Sequence, residues 1–256
     1  MKRPLKLKIP REVFNEVYLP VRERRERYIH LWGGAGSGKS VFAAQNEILK
    51  SFEPGQRTLV IRKVNRTLKN SVMSLFKDIM YDWKLVPRID MGREVRMGNL
   101  FRFYTNEIVN LKTGSRIILT GLDDPEKIKS IAGIRRVWIE EATELSKEDY
   151  QQLDLRLRGA DNLQMTFTYN PIDRDHWLNE VFHLRSDPDV FTLKTTYRDN
   201  KFIDAKYTDV LERLKTTDEN YYRIYALGEW GGLIKGLVYP DVRMVEAFPE
   251  DCKWVT

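Results

Sequence analysis

Eight consecutive residues, GGAGSGKS at 33–40, bring glycines, a lysine and a hydroxyl together at a spacing suited to holding a phosphate chain. They satisfy G-x4-G-K-[ST] through Gly33, Gly38, Lys39 and Ser40, with Gly34, Ala35, Gly36 and Ser37 between. Glycine admits positive φ and leaves no Cβ in the way, so backbone N–H groups can face phosphate oxygens. A helix beginning at the lysine adds the positive end of its dipole. Lys39 then reaches the β- and γ-phosphates, and the Ser40 hydroxyl ligates Mg²⁺.

A hundred residues on, RRVWIEEATEL (135–145) runs three bulky apolar residues into Glu140 and Glu141. Adjacent acids are usually solvated, and a helix N-terminus welcomes them. Here the better cap is Ser146, five residues beyond, with Asp149 three residues after it. An open α/β sheet binds ligands at the C-terminal ends of its strands. Successive side chains there point to opposite faces, so neighbouring acids can take different tasks. Glu140, last on the apolar run, is expected to hold Mg²⁺ through water. Glu141 is expected to orient and deprotonate an attacking water, which marks an ATP hydrolase rather than a nucleotide kinase. TFTYNP (166–171) is a third strand ending in polar groups; Thr168 and Asn170 there are candidate γ-phosphate sensors, although Asn-Pro also makes an ordinary turn.

Positioning these groups requires a sheet. YIHLW runs into the glycine loop, followed by the helix-like KSVFAAQNEILKSF; TLVIRK (58–63) makes a second strand and SVMSLFKDIMYDW (71–83) a helix. REVRM, LFRFY, EIVNL and RIILTG read as short antiparallel hairpins, and VWIE (137–140) and LQMTFTY (163–169) as further strands. The expectation is an α/β fold with a mostly parallel central sheet and a β-hairpin insertion. Its divisions are a basic N-terminal arm (1–27), a P-loop ATPase core (28–175), a small mainly helical lid (176–232) and a connector (233–256).

Composition bounds the classes. With 42% hydrophobic and 31% charged residues among 256, the chain reads as globular, and no apolar run is long enough for a membrane span. One cysteine, Cys252, excludes an internal disulfide framework, and three scattered histidines suggest no zinc site. The net charge is +6, and residues 1–27 hold nine Lys/Arg against four Glu. Such an arm either meets nucleic acid or is simply solvated.

Taken together, GGAGSGKS, VWIEEATEL and TFTYNP, in that order and spacing, resemble the large terminase subunit of tailed bacteriophages. LVIRK with SVMSLF, GLDDPEKIKSIAG, TTYRDN and LGEWGGLIKGLVYPDV add to the likeness, which covers most of 28–240. The resemblance implies a RecA-like, ASCE-type P-loop NTPase in which the lid moves against the core. It implies ATP and Mg²⁺ as cofactors, and sequence-independent translocation of double-stranded DNA into a procapsid. It also implies a portal protein, a small terminase subunit and self-association into a ring as partners. The setting would be the host cell cytoplasm, transiently on the procapsid portal, with no membrane. A helicase-like or other DNA-remodelling ATPase is the alternative. Many relatives carry arginine where this chain has Ala35, so a charge must come from elsewhere. Arg158 is the catalytic candidate, with Arg156, Arg135 and Arg62 beside it; Lys127 and Lys129 are candidate DNA contacts. Relatives also carry a C-terminal nuclease. This chain stops about where that domain would begin, so no nuclease activity is expected of it.

Overall fold

The computed structural model describes residues 8–64, 68, 71–86, 100–122, 133–157 and 163–232. Among these, one sheet contains β1 (Tyr28–Gly33), β2 (Arg57–Arg62), β3 (Phe101–Phe103), β4 (Glu107–Asn110), β5 (Arg116–Gly121), β6 (Arg136–Glu140), β7 (Gln164–Tyr169) and β8 (Val190–Thr195). Their spatial order is β3-β4-β5-β2-β6-β7-β1-β8. The pairings β3–β4 and β4–β5, at one edge, are antiparallel, and the others are parallel. The hairpin expectation holds for LFRFY and EIVNL, and RIILTG returns the chain to the parallel sheet as β5. REVRM lies outside the described residues.

Strand alternation splits the core in two. On one face Leu59, Ile61, Val137, Ile139, Met165 and Phe167 pack under helices α3 (Lys147–Arg156) and α4 (Trp177–Phe182). On the other, Val60, Leu119 and Trp138 meet α1 (Lys39–Lys50) and α2 (Val72–Asp82). The α2 residues Val72, Phe76, Ile79 and Met80 supply a stripe at helical spacing. A sheet covered on both faces explains why β6 is buried at every position. Ser146 caps α3 as expected: its hydroxyl accepts from Asp149 N at 3.1 Å, and the Asp149 carboxylate accepts from Ser146 N at 3.0 Å.

Beneath the sheet, Arg136 is buried against Glu47, with contacts of 2.6–3.0 Å. Thr58 also donates to Glu47, at 2.8 Å, and Arg136 donates to Gln164 Oε1 at 2.9 Å. Gln164 in turn donates to the carbonyls of Arg24 and Glu26, both at 3.1 Å. This network ties α1, β6 and β7 to the N-terminal segment at the edge remote from the phosphate loop.

Two expected divisions shift. Residues 8–27 are no loose arm: the 3-10 turns Arg11–Val13 and Glu16–Glu23 bury Phe14, Tyr18 and Val21, and Tyr18 packs with Ile29, Leu31 and Phe42. The mainly helical part begins at Tyr197 rather than His176. Before it, α4 belongs to the main core and β8 pairs with β1 along its length. After it come α5 (Ala205–Thr217), the turn Glu219–Tyr221 and a π-helical turn Tyr222–Ala226. The connector 233–256 lies outside the described residues. Among the described residues, no helix is long and apolar enough to cross a membrane.

Candidate nucleotide site

The C-terminal tips of β1, β2, β6, β7 and β8 meet at one edge, and the loop 33–40 springs from the first of them into α1. Gly33 has φ +125, and a Cβ there would stand 2.0 Å from Thr195 O, so no other residue fits between β1 and β8. Two N–H groups of the loop are used internally. Gly34 N donates to Thr195 O at 2.8 Å, and Ala35 N to Tyr225 O at 2.7 Å, the latter a carbonyl of the π-helical turn. Lys39 is buried, its ammonium donating to Gly34 O (2.6 Å), Ser37 Oγ (3.2 Å) and Gly33 O (3.3 Å). Burial draws its pKa down to about 8 against the opposing pull of Glu141 and Glu140.

β6 ends at Glu140, and the chain then breaks direction, because Glu141 has φ 52 and ψ 53 in the left-handed region. A side chain held there costs roughly 1–3 kcal/mol, a strain typical of functional turns. Glu140 is fixed by a donor chain. Trp138 Nε1 donates to Thr168 Oγ1 at 2.8 Å, and the Thr168 hydroxyl donates to Glu140. Burial raises the Glu140 pKa, with Thr168 and Ser40 hydrogen bonds and Lys39 opposing and Glu141 adding to the rise. Glu141 is likewise raised by burial, against the positive charges of Arg62 and Lys39.

The expected groups share one cleft of ≈ 520 Å³. Ala35 to Val41 line it together with Glu140, Glu141, Thr168 and Asn170. For a metal, the donor set is hard oxygen: the Ser40 hydroxyl and the Glu140 carboxylate line the same cleft, and among the described residues no cluster of three acidic, His or Cys ligands exists. One hydroxyl and one carboxylate suit Mg²⁺, which otherwise takes water and phosphate oxygens.

The arginines separate clearly. Arg62 ends β2 and grips Glu144 through two bonds, at 2.8 and 3.0 Å, close enough to act on Glu141. Arg135 precedes β6, about 16 Å down the strand from Glu140. Arg156 ends α3, whose Asp154 bonds Arg27 and Tyr28 at the start of β1, again at the remote edge. Arg158, Lys127 and Lys129 lie outside the described residues.

Sequence reasoning missed Asn200, Tyr207 and Tyr225, which line the cleft from the helical segment, and Tyr18, which supports the loop from beneath. TTYRDN stands out in the sequence, but nothing local tells where Asn200 lands. The stripe Phe14, Tyr18, Val21 was the legible signal that the N-terminal segment docks. Downstream of β7, Gly231 N donates to Pro171 O and Arg174 N to Gly231 O, both at 3.0 Å, while Trp230 stacks on Trp32.

A family model described as "Phage terminase large subunit" matches residues 25–229. The PBSX phage terminase large subunit of Bacillus subtilis (strain 168) is 30% identical over 229 residues, 80% of this chain and 50% of that protein. The chain spans about half the length of the curated relatives it matches. Among solved structures, the large terminase of a thermophilic bacteriophage in complex with ATP-gamma-S superposes with TM-score 0.63 at 18% identity, over 84% of this chain and 51% of that one. The Thermus phage P74-26 large terminase ATPase domain superposes with TM-score 0.59 at 14% identity, over 84% of this chain and 93% of that one. With the P-loop-like fold in place and most of its length matched by the family model, this chain belongs to the phage terminase large subunit family.

Proposed function

We propose that this chain is the ATPase motor portion of a terminase, hydrolysing ATP to drive double-stranded DNA into a procapsid. One observation carries the reading: Lys39, Ser40, Glu140 and Glu141 line a single cleft at the strand tips. The thermophilic phage terminase solved with ATP-gamma-S supports the choice of nucleotide, and the P74-26 ATPase domain is matched over nearly its whole length.

In this mechanism the loop 33–40 cradles the triphosphate and Lys39 neutralises charge on the β- and γ-phosphates. Mg²⁺, held by Ser40 and through water by Glu140, would supply Lewis-acid charge at the same oxygens. Glu141 takes a proton from the water as its oxygen attacks the γ-phosphorus and the bond to the β-phosphate oxygen breaks. Burial raises its pKa, the direction that strengthens a carboxylate as a base. Arg62 is the described arginine at this edge, and Arg158 is retained as the second source of charge. Thr168 and Asn170 report phosphate loss to the segment beyond Tyr197, the moving lid of this scheme. The partners in this reading are the portal protein, a small terminase subunit and further copies in a ring, in the host cytoplasm. DNA contacts would be backbone-directed and weakened by salt.

The test is steady-state ATP turnover with Mg²⁺ and with chelator, in wild type and Glu141→Gln. Turnover is expected to need Mg²⁺ and to fall by about 10²–10⁴-fold in the variant. Equal rates in the two proteins would remove Glu141 as the base.

A further inference from the structure

Two carbonyls of the phosphate loop are held from outside the core. Gly36 O accepts from Asn200 Nδ2 at 2.7 Å. Ser37 O accepts from Tyr18 OH at 3.1 Å and Asn15 Nδ2 at 3.4 Å. These donors come from two segments far apart in sequence, Asn15 and Tyr18 from the one before β1, Asn200 from the one after β8. Each is fixed in turn. The Asn200 Oδ1 accepts from Phe202 N at 3.0 Å, which leaves its NH₂ facing Gly36. Tyr18 is fully buried, stacked on Phe42 of α1 at 4.9 Å, with its oxygen 2.8 Å from Thr195 Oγ1. Thr195 can donate there, leaving the Tyr18 proton for Ser37. Burial pushes the Tyr18 pKa up to about 12, so the phenol stays a donor.

Peptide planarity turns these bonds into a statement about the cleft. In a trans peptide the C=O of one residue and the N–H of the next point in opposite directions across one rigid plane. Pinning Gly36 O therefore aims Ser37 N–H, and pinning Ser37 O aims Gly38 N–H. Among the described residues neither N–H has a protein acceptor, unlike those of Gly34 and Ala35. Successive free N–H groups of this kind form an anion nest. The segment that carries Asn200 also closes on Gly36 itself, since a Cβ there would meet the Tyr207 ring at 2.7 Å.

We propose that Tyr18 and Asn200, helped by Asn15, are positioning residues for the nucleotide: by holding the Gly36 and Ser37 carbonyls outward they aim the Ser37 and Gly38 N–H groups at the phosphates. The inference rests on the ATP reading above. It gives the segments before β1 and after β8 a shared task at the nest, performed through hydrogen bonds to loop carbonyls.

The experiment compares wild type, Tyr18→Phe, Asn200→Asp and the double variant, with Lys39→Ala as a control for the cleft itself. Tyr18→Phe deletes one hydroxyl and keeps the ring stack. Asn200→Asp keeps the acceptor for Phe202 N and sets a carboxylate against the Gly36 carbonyl. KM for ATP and Kd for ATP-gamma-S are expected to rise about threefold to tenfold in each single variant and further in the double, with kcat changed less than about twofold. A purely structural role would instead lower the nucleotide-free melting temperature and leave KM in place. Nucleotide affinity within about twofold of wild type in Tyr18→Phe, while Lys39→Ala abolishes binding, would overturn the inference alone. If Asn200→Asp does not fold, Tyr18→Phe decides the matter. Absence of nucleotide binding by wild type would overturn the ATP reading, and this inference with it.

Discussion

Thr168 and Glu140 stand directly opposite one another in the β6–β7 register, and the threonine hydroxyl donates to the glutamate carboxylate. A strand pair thus fixes, through its register and this hydroxyl, the carboxylate proposed to hold magnesium. Trp138 Nε1 completes the chain by donating to the same hydroxyl at 2.8 Å, so one proton direction is enforced throughout. Thr168→Val keeps the shape and removes both roles of the oxygen. It strands the indole N–H and releases the Glu140 pKa to climb further, because the lost hydrogen bond was lowering it. The expected result is roughly a tenfold loss of turnover and an acid limb of the pH–rate profile moved to higher pH. Thr168→Ser should recover most of it.

Removing charge from the cleft should stabilise the fold while disabling it. Glu140 and Glu141 both have folded-state pKa values raised by burial. The native state therefore binds more protons than the unfolded chain above the ordinary glutamate pKa, and stability falls as pH rises through the raised values. Glu141→Gln should melt higher than wild type at about pH 8. The gap should close below about pH 4, where both residues are neutral in either state. Melting curves across that range read the difference directly.

The opposite slope comes from histidines. His183 shares a hydrogen bond of 2.6 Å with Tyr169 OH, and burial takes its pKa down to about 4. His30, fully buried beside it, is lowered for the same reason and further by His183. The folded state then holds fewer protons than the unfolded one as pH drops below about 6.5. Stability from these two groups is present above that pH and is lost toward pH 4. The fall in denaturant midpoint from about pH 7 to about pH 4 should be larger in wild type than in His183→Gln, and equal profiles in the two proteins would contradict the burial.

Glu47 and Arg136 offer a test of the remote edge. Their side chains are 1% and 9% exposed. Glu47→Gln leaves a buried guanidinium short of a charge and should destabilise by about 3–5 kcal/mol in urea unfolding. Replacing both residues by apolar ones of similar volume should recover most of that loss.

What could be read in the chain before folding was local. GGAGSGKS, the run into Glu140–Glu141 and the Ser146–Asp149 box each declare themselves within a dozen residues, because loop, strand tip and cap are short-range devices. Asn200 was out of reach for the converse reason: its partner Gly36 lies 164 positions earlier, and only the pairing of β8 with β1 brings them together. FTLKTTY (191–197) stands apart from the helical text that follows, but as an edge strand with half-exposed alternation it gives no sign of its pairing with β1. The N-terminal segment misled through its charge, which says where arginines are but not where Tyr18 goes.

The chain from Tyr225 to Gly231 is fastened at two points, to Ala35 in the phosphate loop and to Pro171 just past Asn170. Tension arriving at Gly232 would reach both the loop proposed to grip the nucleotide and the residue proposed to report its breakdown through the same strap. In the proposed motor, opposing load should therefore retard turnover itself rather than merely cause slippage, and stalling would halt the consumption of ATP.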